Sequence, residues 1–117
     1  MLIRSQDRMS LVKFENIVVN INNINGKEII CWSQMNPGED EYILLGHYST
    51  KEKAMKVLDM IQEAYVEYEM FLQTFMGIAS VRVTTTEKEI LDKKKKDIKK
   101  KAIFQMPQDS EVEEWAI

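Results

Sequence analysis

The chain has 117 residues with a net charge of −3, 44% hydrophobic residues and 30% charged residues. These values predict one soluble globular domain over residues 1–117, and they exclude a disordered chain or one drawn to nucleic acid over its whole surface. No stretch approaches the ~18 apolar residues of a membrane span, and the start, MLIRSQDR, lacks the apolar segment of a signal peptide. A single cysteine, Cys31, predicts a reducing compartment, the cytoplasm.

The first 49 residues predict an antiparallel β-meander of four to five strands. Candidate strands are LIRS (2–5), LVKF (11–14), NIVVNIN (16–22), KEIICWS (27–33) and YILLGHYS (42–49), where β-branched and alternating apolar residues are frequent. Asn25 and Gly26 predict a tight hairpin turn, because both residues tolerate positive φ. Pro37 and Gly38 predict a further turn before the fifth strand.

One long amphipathic helix is predicted over residues 50–76. Ser49 and Glu52 have the spacing of a capping box, in which each side chain accepts a hydrogen bond from a free backbone N–H at the start of a helix. Apolar residues then recur at steps of three and four as far as Phe75, and Gly77 is the predicted stop signal.

Residues 80–107 predict a smaller C-terminal element. SVRVTTT (80–86) has strand character, EKEILDKKKKDIKKK follows a second capping-box pattern at Thr86 and Glu89, and KAIFQMP (101–107) predicts a last strand closed by Pro107. Residues 108–117 form an acidic tail that contains Trp115. The predicted class is therefore α+β, an antiparallel sheet packed on one long helix with a C-terminal helix and strand.

The predicted helix is longer than the sheet that it covers. From Thr50 to Met76 there are 27 residues, which span about 40 Å as a helix. A strand of seven residues covers only about 23 Å. The last turns should therefore overhang the sheet, although they carry the most hydrophobic side chains of the helix. These predicted interface residues are Tyr65, Tyr68, Phe71, Leu72, Phe75 and Met76.

Leaving such side chains in water would forgo roughly 1.5–3 kcal/mol for each one, so we expect something to cover them. Three covers are open: the second helix and last strand of the same chain, a two-fold copy of the protein, or a different protein or ligand. The first two are compatible if two copies exchange their C-terminal segments. We expect a homodimer that contacts itself through residues 65–77.

A lysine-rich stretch gives the alternative hypothesis, nucleic-acid binding. The predicted polyanion-binding residues are Lys93, Lys94, Lys95, Lys96, Lys99, Lys100 and Lys101. Lysines contact phosphates well, but no aromatic residue interleaves them for base stacking. Four acids in the tail at 109–114 could also lie across these lysines, and a solvated helix face is the simpler interpretation.

A small ligand pocket is a further hypothesis, with Arg4, Arg8, Trp32 and His47 as its residues. The arginines could grip a carboxylate or phosphate, although an Arg–Asp pair that braces the turn at Asp7 is the preferred explanation. His47 shares a face of its predicted strand with Ile43 and Leu45, so we expect a packed or edge-strand histidine rather than a general base. Cys31 has no activating base in the sequence, so we expect an inert core thiol. No catalytic constellation, cofactor motif or metal site is predicted.

Two stretches carry a family resemblance. MLIRSQD with LVKFENIVV, and LLGHYSTKEKAMKVLDMIQEAY with its G-x-Y-x-T-x-E-x-A pattern, resemble small uncharacterised proteins of Gram-positive bacteria, their phages and their mobile elements. In such proteins a β-meander leads into one long helix, and a strand ending in MP follows, as in FQMPQD here. The resemblance covers about residues 1–65 and 102–109, and it implies a fold but no activity.

The phage association, together with the homodimer, predicts a non-enzymatic accessory protein that acts by stoichiometric binding. Accessory proteins of this size block a host defence protein or a restriction enzyme, or they sequester a small nucleotide signal. The expected partners are therefore a second copy of the chain and a host protein or nucleotide, and no membrane.

Overall fold

The computed structural model of the chain describes residues 1–35, 42–79 and 85–113. In chain order its elements are β1 (Leu2–Arg4), β2 (Leu11–Lys13), a 3-10 helix (Phe14–Asn16), β3 (Ile17–Ile21), β4 (Glu28–Ser33), β5 (Ile43–His47), α1 (Lys51–Ala79), α2 (Thr85–Lys101), β6 (Ile103–Gln105) and a second 3-10 helix (Asp109–Glu111). The predicted α+β class, with one long helix and a C-terminal helix, is confirmed.

The strands divide between two three-stranded sheets rather than forming one meander. In the first sheet, of order β2-β1-β6, β1 is antiparallel to β2 and parallel to β6, and Leu2 pairs with Ile103. In the second sheet, β3, β4 and β5 follow one another as antiparallel neighbours. The sequence predicted all six strands, but not the parallel pairing that brings the last one beside the first.

A β-bulge changes the side-chain pattern of β5. Ile29 pairs with Gly46 and Ile30 pairs with Leu44, so Leu45 is an extra residue between the two pairs. Leu45 is buried, whereas His47, opposite Glu28, is exposed. The prediction that His47 shares a packed face with Leu45 was wrong, because the bulge interrupts the alternation of side chains between the two faces.

The connection from β3 to β4 is a hairpin, as predicted, but it is wider than a two-residue turn. It spans residues 22–27, and the Gly26 N–H donates to the Asn22 carbonyl at 2.8 Å. Gly26 has a φ of +70°, whereas Asn25 does not have a positive φ. One left-handed residue therefore suffices to reverse the chain here.

The helix α1 begins one residue later than predicted and ends later as well. The Thr50 hydroxyl, rather than that of Ser49, accepts the Lys53 N–H at 3.2 Å, so Thr50 is the capping residue. The Ser49 N–H instead donates to the Asp109 carboxylate. Gly77 does not stop the helix, which continues to Ala79, since a glycine within a helix costs only about 1 kcal/mol.

The hydrophobic core lies where the two sheets meet the first turns of α1. Buried side chains come from β1, β4, β5, α1 and the segment after β6. They are Met1, Ile3, Ile29, Cys31, Leu45, Tyr48, Ala54, Val57, Ile61, Met106 and Val112. Ile61 is the last fully buried residue of α1 as far as its side chains are described, so the core ends near the middle of this helix.

The molecule is elongated. Its radius of gyration is 17.2 Å and its principal extents are 56 × 38 × 24 Å. A compact chain of this length has a radius of gyration of about 13 Å. The difference arises because the second half of α1, together with α2, extends away from the sheets.

Three predictions lie outside the described residues. They are the turn at Pro37 and Gly38, most of the strand over 80–86, and the end of the acidic tail with Trp115. Of the predicted strand, residues 85 and 86 belong to α2.

Candidate functional site

The distal half of α1 extends beyond the sheets, as the sequence predicted. The helix has 29 residues, which makes it about 43 Å long. The strands of the second sheet have five or six residues and cover only about 20 Å. The last turns of α1 therefore extend past the strands of this sheet, whereas Ala64, Tyr65 and Tyr68 still pack against the core.

The helix α2 returns along this distal half of α1. The Lys101 ammonium group lies 2.5 Å from the Glu67 carboxylate and 4.8 Å from the centre of the Phe71 ring. Since α2 begins six residues after α1 ends, the two helices form an antiparallel pair. We call this pair, residues 62–79 and 85–101, the hairpin.

The predicted interface residues occupy the hairpin and are only partly covered. Five of the six are half-buried, and Met76 is 62% exposed. Tyr65 packs on the body of the protein, because its ring lies 4.6 Å from that of Phe14. The second helix of the same chain, α2, therefore covers part of the predicted interface but does not enclose it.

A second face of α1 is also open to solvent. Val66 is 51% exposed and Met70 is 64% exposed, and both lie one turn apart. Together with Asp59, Gln62, Glu63 and Glu67 they line a shallow groove of 460 Å³. This face combines apolar side chains with acids, whereas the exposed charges of α2 are mostly lysines.

The predicted polyanion-binding lysines lie in the second half of α2. Lys93, Lys95, Lys96, Lys99 and Lys100 are exposed, whereas Lys94 and Lys101 are half-buried. Lys101 differs from the others because it is paired with Glu67.

The acidic tail does not lie across these lysines in its described part. Asp109 accepts hydrogen bonds near the start of α1, and the Glu113 carbonyl accepts one from Lys56 at 3.0 Å. Lys101 contacts α1 at Glu67, 11 residues beyond Lys56, or about 16 Å along the helix. The suggested neutralisation of the lysines by residues 109–113 was therefore wrong.

The four predicted pocket residues are not brought together. Trp32 pairs with Val18 and His47 pairs with Glu28, so the two lie four residues apart along β4, about 13 Å. Arg4 is exposed on β1, in the other sheet, and Arg8 occupies the turn after it with a φ of +67°. The ligand-pocket hypothesis gains no geometric support.

The turn that contains Arg8 is braced by Asp7, although not through an arginine. The Asp7 carboxylate accepts hydrogen bonds from the Ser5 hydroxyl at 2.5 Å and from the Met9 N–H at 2.9 Å. These bonds hold the pKa of Asp7 below its ordinary value, the Ser5 bond having the larger effect. No ion pair between Asp7 and an arginine is found among the described residues.

Sequence reasoning missed the polar residue that joins the two sheets, Gln6. Its side chain accepts the His47 N–H at 2.9 Å, and it donates to the carbonyls of His47 and Pro107 at 3.1 and 3.2 Å. The Tyr48 hydroxyl donates to the same Pro107 carbonyl at 2.8 Å. Gln6 thus completes the edge of β5, and no local pattern marks a glutamine for such a role.

No catalytic or metal-binding geometry is found in residues 1–35, 42–79 and 85–113. No group of three or more histidine, cysteine or acidic side chains is placed to hold a metal ion there. Cys31 is fully buried, and burial raises the pKa of its thiol to about 11. A thiol with such a pKa is a packing group rather than a nucleophile.

Comparisons of the chain with protein-family models, curated proteins and solved structures find no match. The resemblance to small phage and mobile-element proteins therefore stays a prediction. Among the described helices, neither combines the length and the apolar character that crossing a membrane requires.

Proposed function

We propose that the protein is a non-enzymatic binding protein that works as a homodimer joined through its hairpins. The observation that carries this proposal is the partial cover of the distal half of α1. Tyr68, Leu72 and Phe75 are half-buried after α2 has packed, and Met76 is exposed. These side chains continue the apolar face of α1, which is buried in the core over the first turns of the helix.

Two helices alone have no enclosed interior, because each can bury only the narrow stripe that faces the other. Two hairpins related by a two-fold axis form a four-helix bundle, which has a central layer for such side chains. The same patch then serves both copies, and each half-buried side chain gains cover without a further protein.

Light scattering tests this dimer through the mass in solution. We expect twice the chain mass of 13.7 kDa for the native protein. Leu72→Glu and Met76→Glu should each give a monomer whose far-ultraviolet circular dichroism is unchanged, because a buried carboxylate in the bundle is strongly unfavourable. Met55→Glu is the matched control, since Met55 is 51% exposed on the same helix but outside the hairpin.

Three outcomes of this experiment would contradict the proposed dimer or its proposed surface. A native protein that stays monomeric at high micromolar concentration contradicts the dimer. A dimer that survives both hairpin substitutions places the contact elsewhere and contradicts the proposed surface. Equal loss of the dimer in Met55→Glu would show that added charge, rather than position, is responsible.

As its cellular role we propose stoichiometric binding of a host protein or a nucleotide signal, as in accessory proteins of phages and mobile elements. The resemblance of residues 1–65 and 102–109 to such proteins supports this role. A thermal-shift screen against nucleotides tests the second option. A nucleotide at a hundred times its dissociation constant adds about 2.7 kcal/mol of stability, which raises the melting temperature. If no nucleotide raises the melting temperature, the nucleotide option is contradicted and a host protein stays as the proposed partner.

A further inference from the structure

One face of α2 consists of lysine alone over more than two turns. Between residues 93 and 100, where every side chain is described, the exposed residues are Lys93, Lys95, Lys96, Lys99 and Lys100. The other three, Lys94, Asp97 and Ile98, are half-buried. We call the five exposed lysines the lysine ridge.

No ion pair within 4 Å joins an acidic group of the described residues to the lysine ridge. The exposed acids Glu89 and Asp92 lie one turn before Lys93 and Lys96, so they reduce the charge at the N-terminal end of the ridge. Lys99 and Lys100, by contrast, have no exposed acid one turn before them. The Glu67 carboxylate is paired with Lys101, outside the ridge. The Asp109 carboxylate is bound to the Ser49 N–H, just before α1. Ser49 precedes Glu67 by 18 residues, or about 27 Å along the helix, so Asp109 is far from Lys101 and from the ridge.

The chemistry of the ridge narrows the class of its ligand. A lipid surface binds helices that present apolar side chains beside the basic ones. A protein interface depends on aromatic or aliphatic anchors at its centre. The ridge itself offers neither, because its apolar neighbour Ile98 is half-buried and the exposed Ile90 lies before its first lysine. Phosphate contacts need only cations, so a nucleic-acid backbone fits best.

The arrangement of the lysines favours a double strand over a single strand. A single strand is held by stacking of its bases on aromatic rings, and the ridge has none. On a helix of 3.6 residues per turn, Lys93, Lys96 and Lys100 follow one flank, and Lys95 and Lys99 follow the other. A helix with its side chains is about 10–12 Å wide, which matches the ~12 Å major groove of B-DNA.

We propose that the lysine ridge of α2 docks in the major groove of double-stranded DNA and contacts phosphates on both sides of it. We expect the binding to depend little on sequence, because the lysines contact phosphates, which carry no sequence information directly. Duplex RNA is disfavoured, since its major groove is too narrow to admit a helix. This inference does not depend on the homodimer.

Fluorescence anisotropy with a labelled 20-base-pair DNA duplex tests the ridge. Five phosphate contacts give a slope of about −4.5 in log affinity against log salt, so affinity should fall about 500-fold between 50 and 200 mM salt. In the triple variant Lys95→Gln, Lys96→Gln, Lys99→Gln, two contacts remain and the slope should fall to about −1.8. Glutamine keeps the helix propensity of lysine, so α2 should stay folded.

The matched control removes the same charge elsewhere. Lys13, Lys27 and Lys51 are exposed and lie outside α2, and their triple change to glutamine should leave the slope near −4.5. Binding with these slopes in the native protein and both variants supports the ridge. Absence of binding at 50 mM salt, or an equal loss in the control, overturns it. Equal affinity for duplex RNA or for polyglutamate assigns the ridge to another polyanion and overturns the DNA proposal.

Discussion

The Asp109 carboxylate accepts a hydrogen bond from the backbone N–H of Ser49 at 2.7 Å, although 60 residues separate them. The segment after β6 is thereby fixed to the start of α1. Lys53, in the first turn of the helix, adds a hydrogen bond to the Asp109 carbonyl at 3.1 Å and an ion pair with its carboxylate at 3.6 Å. A negative charge in this position is also favoured by the helix dipole.

Asp109→Asn should lower the stability of the protein at neutral pH. The bond from Ser49, ahead of the Lys53 charge, holds the pKa of Asp109 below its ordinary value of 3.8. The stabilisation of the fold by the ionised Asp109 carboxylate is therefore fully present above about pH 3.8. It is lost as the pH falls through the lower pKa of this carboxyl in the folded state. Urea unfolding should show a difference between the native protein and the variant that narrows below pH 3.8.

Glu113→Gln is the control for that experiment, because the Glu113 backbone rather than its side chain makes the contact with Lys56. We expect it to match the native protein across the pH range. A difference for Asp109→Asn that is the same at pH 3 and pH 7 would contradict the role of its charge.

Tyr48→Phe should destabilise the protein by about 1 kcal/mol. Its hydroxyl is buried, donates to the Pro107 carbonyl at 2.8 Å, and has its pKa raised by burial. Removal of the hydroxyl leaves that carbonyl with the weaker bond from Gln6. Urea unfolding measures the change, and Tyr42→Phe, at an exposed tyrosine, should stay within about 0.5 kcal/mol of the native protein.

Gly46→Ala should cost about 1–3 kcal/mol, because the added methyl group has no space. A Cβ at this position would lie 3.0 Å from the Tyr48 ring and hydroxyl and 3.3 Å from the end of Met106. The cost should be smaller in the background of Tyr48→Phe, which removes one of the close atoms. Strictly additive unfolding free energies in the double variant would contradict this contact.

Gly77→Ala should change the free energy of unfolding in the opposite direction to Gly46→Ala and stabilise the protein by roughly 0.5–1 kcal/mol. Gly77 lies within α1, and nothing comes within 4 Å of a Cβ built there. Thermal unfolding distinguishes the two possible roles of this residue. If Gly77 ended the helix in a left-handed conformation, as the sequence predicted, alanine would lower the melting temperature instead.

The local elements were predictable because their signals are local. β-branched alternation located every strand of the first half to within two residues, and the three- and four-residue apolar steps located α1. The overhang followed from lengths alone. The predicted interface residues were chosen for the same reason, since apolar side chains beyond the end of a sheet stand out in a sequence, and their role as an interface stays a prediction.

What the sequence did not reveal depends on contacts between distant residues. The parallel pairing of β1 with β6 involves two three-residue strands about 100 residues apart, and the local pattern that locates each strand does not indicate its partner. Gln6 acts through His47 and Pro107, which are 41 and 101 residues away. The capping residue shifted from Ser49 to Thr50 because Asp109 binds Ser49, and no rule of spacing includes a partner so remote.

The pairing of Leu2 with Ile103 also sets an order of events during translation. At roughly 5–20 residues per second, a ribosome makes β6, the later of the two partners of β1, about 5–20 s after β1. The strands β3 to β5 and the start of α1 can associate in the meantime, and β1 can pair with β2, whereas the other edge of β1 stays available to chaperones. Closure of the first sheet is therefore a late step of folding, and it waits for the lysine-rich helix to leave the exit tunnel.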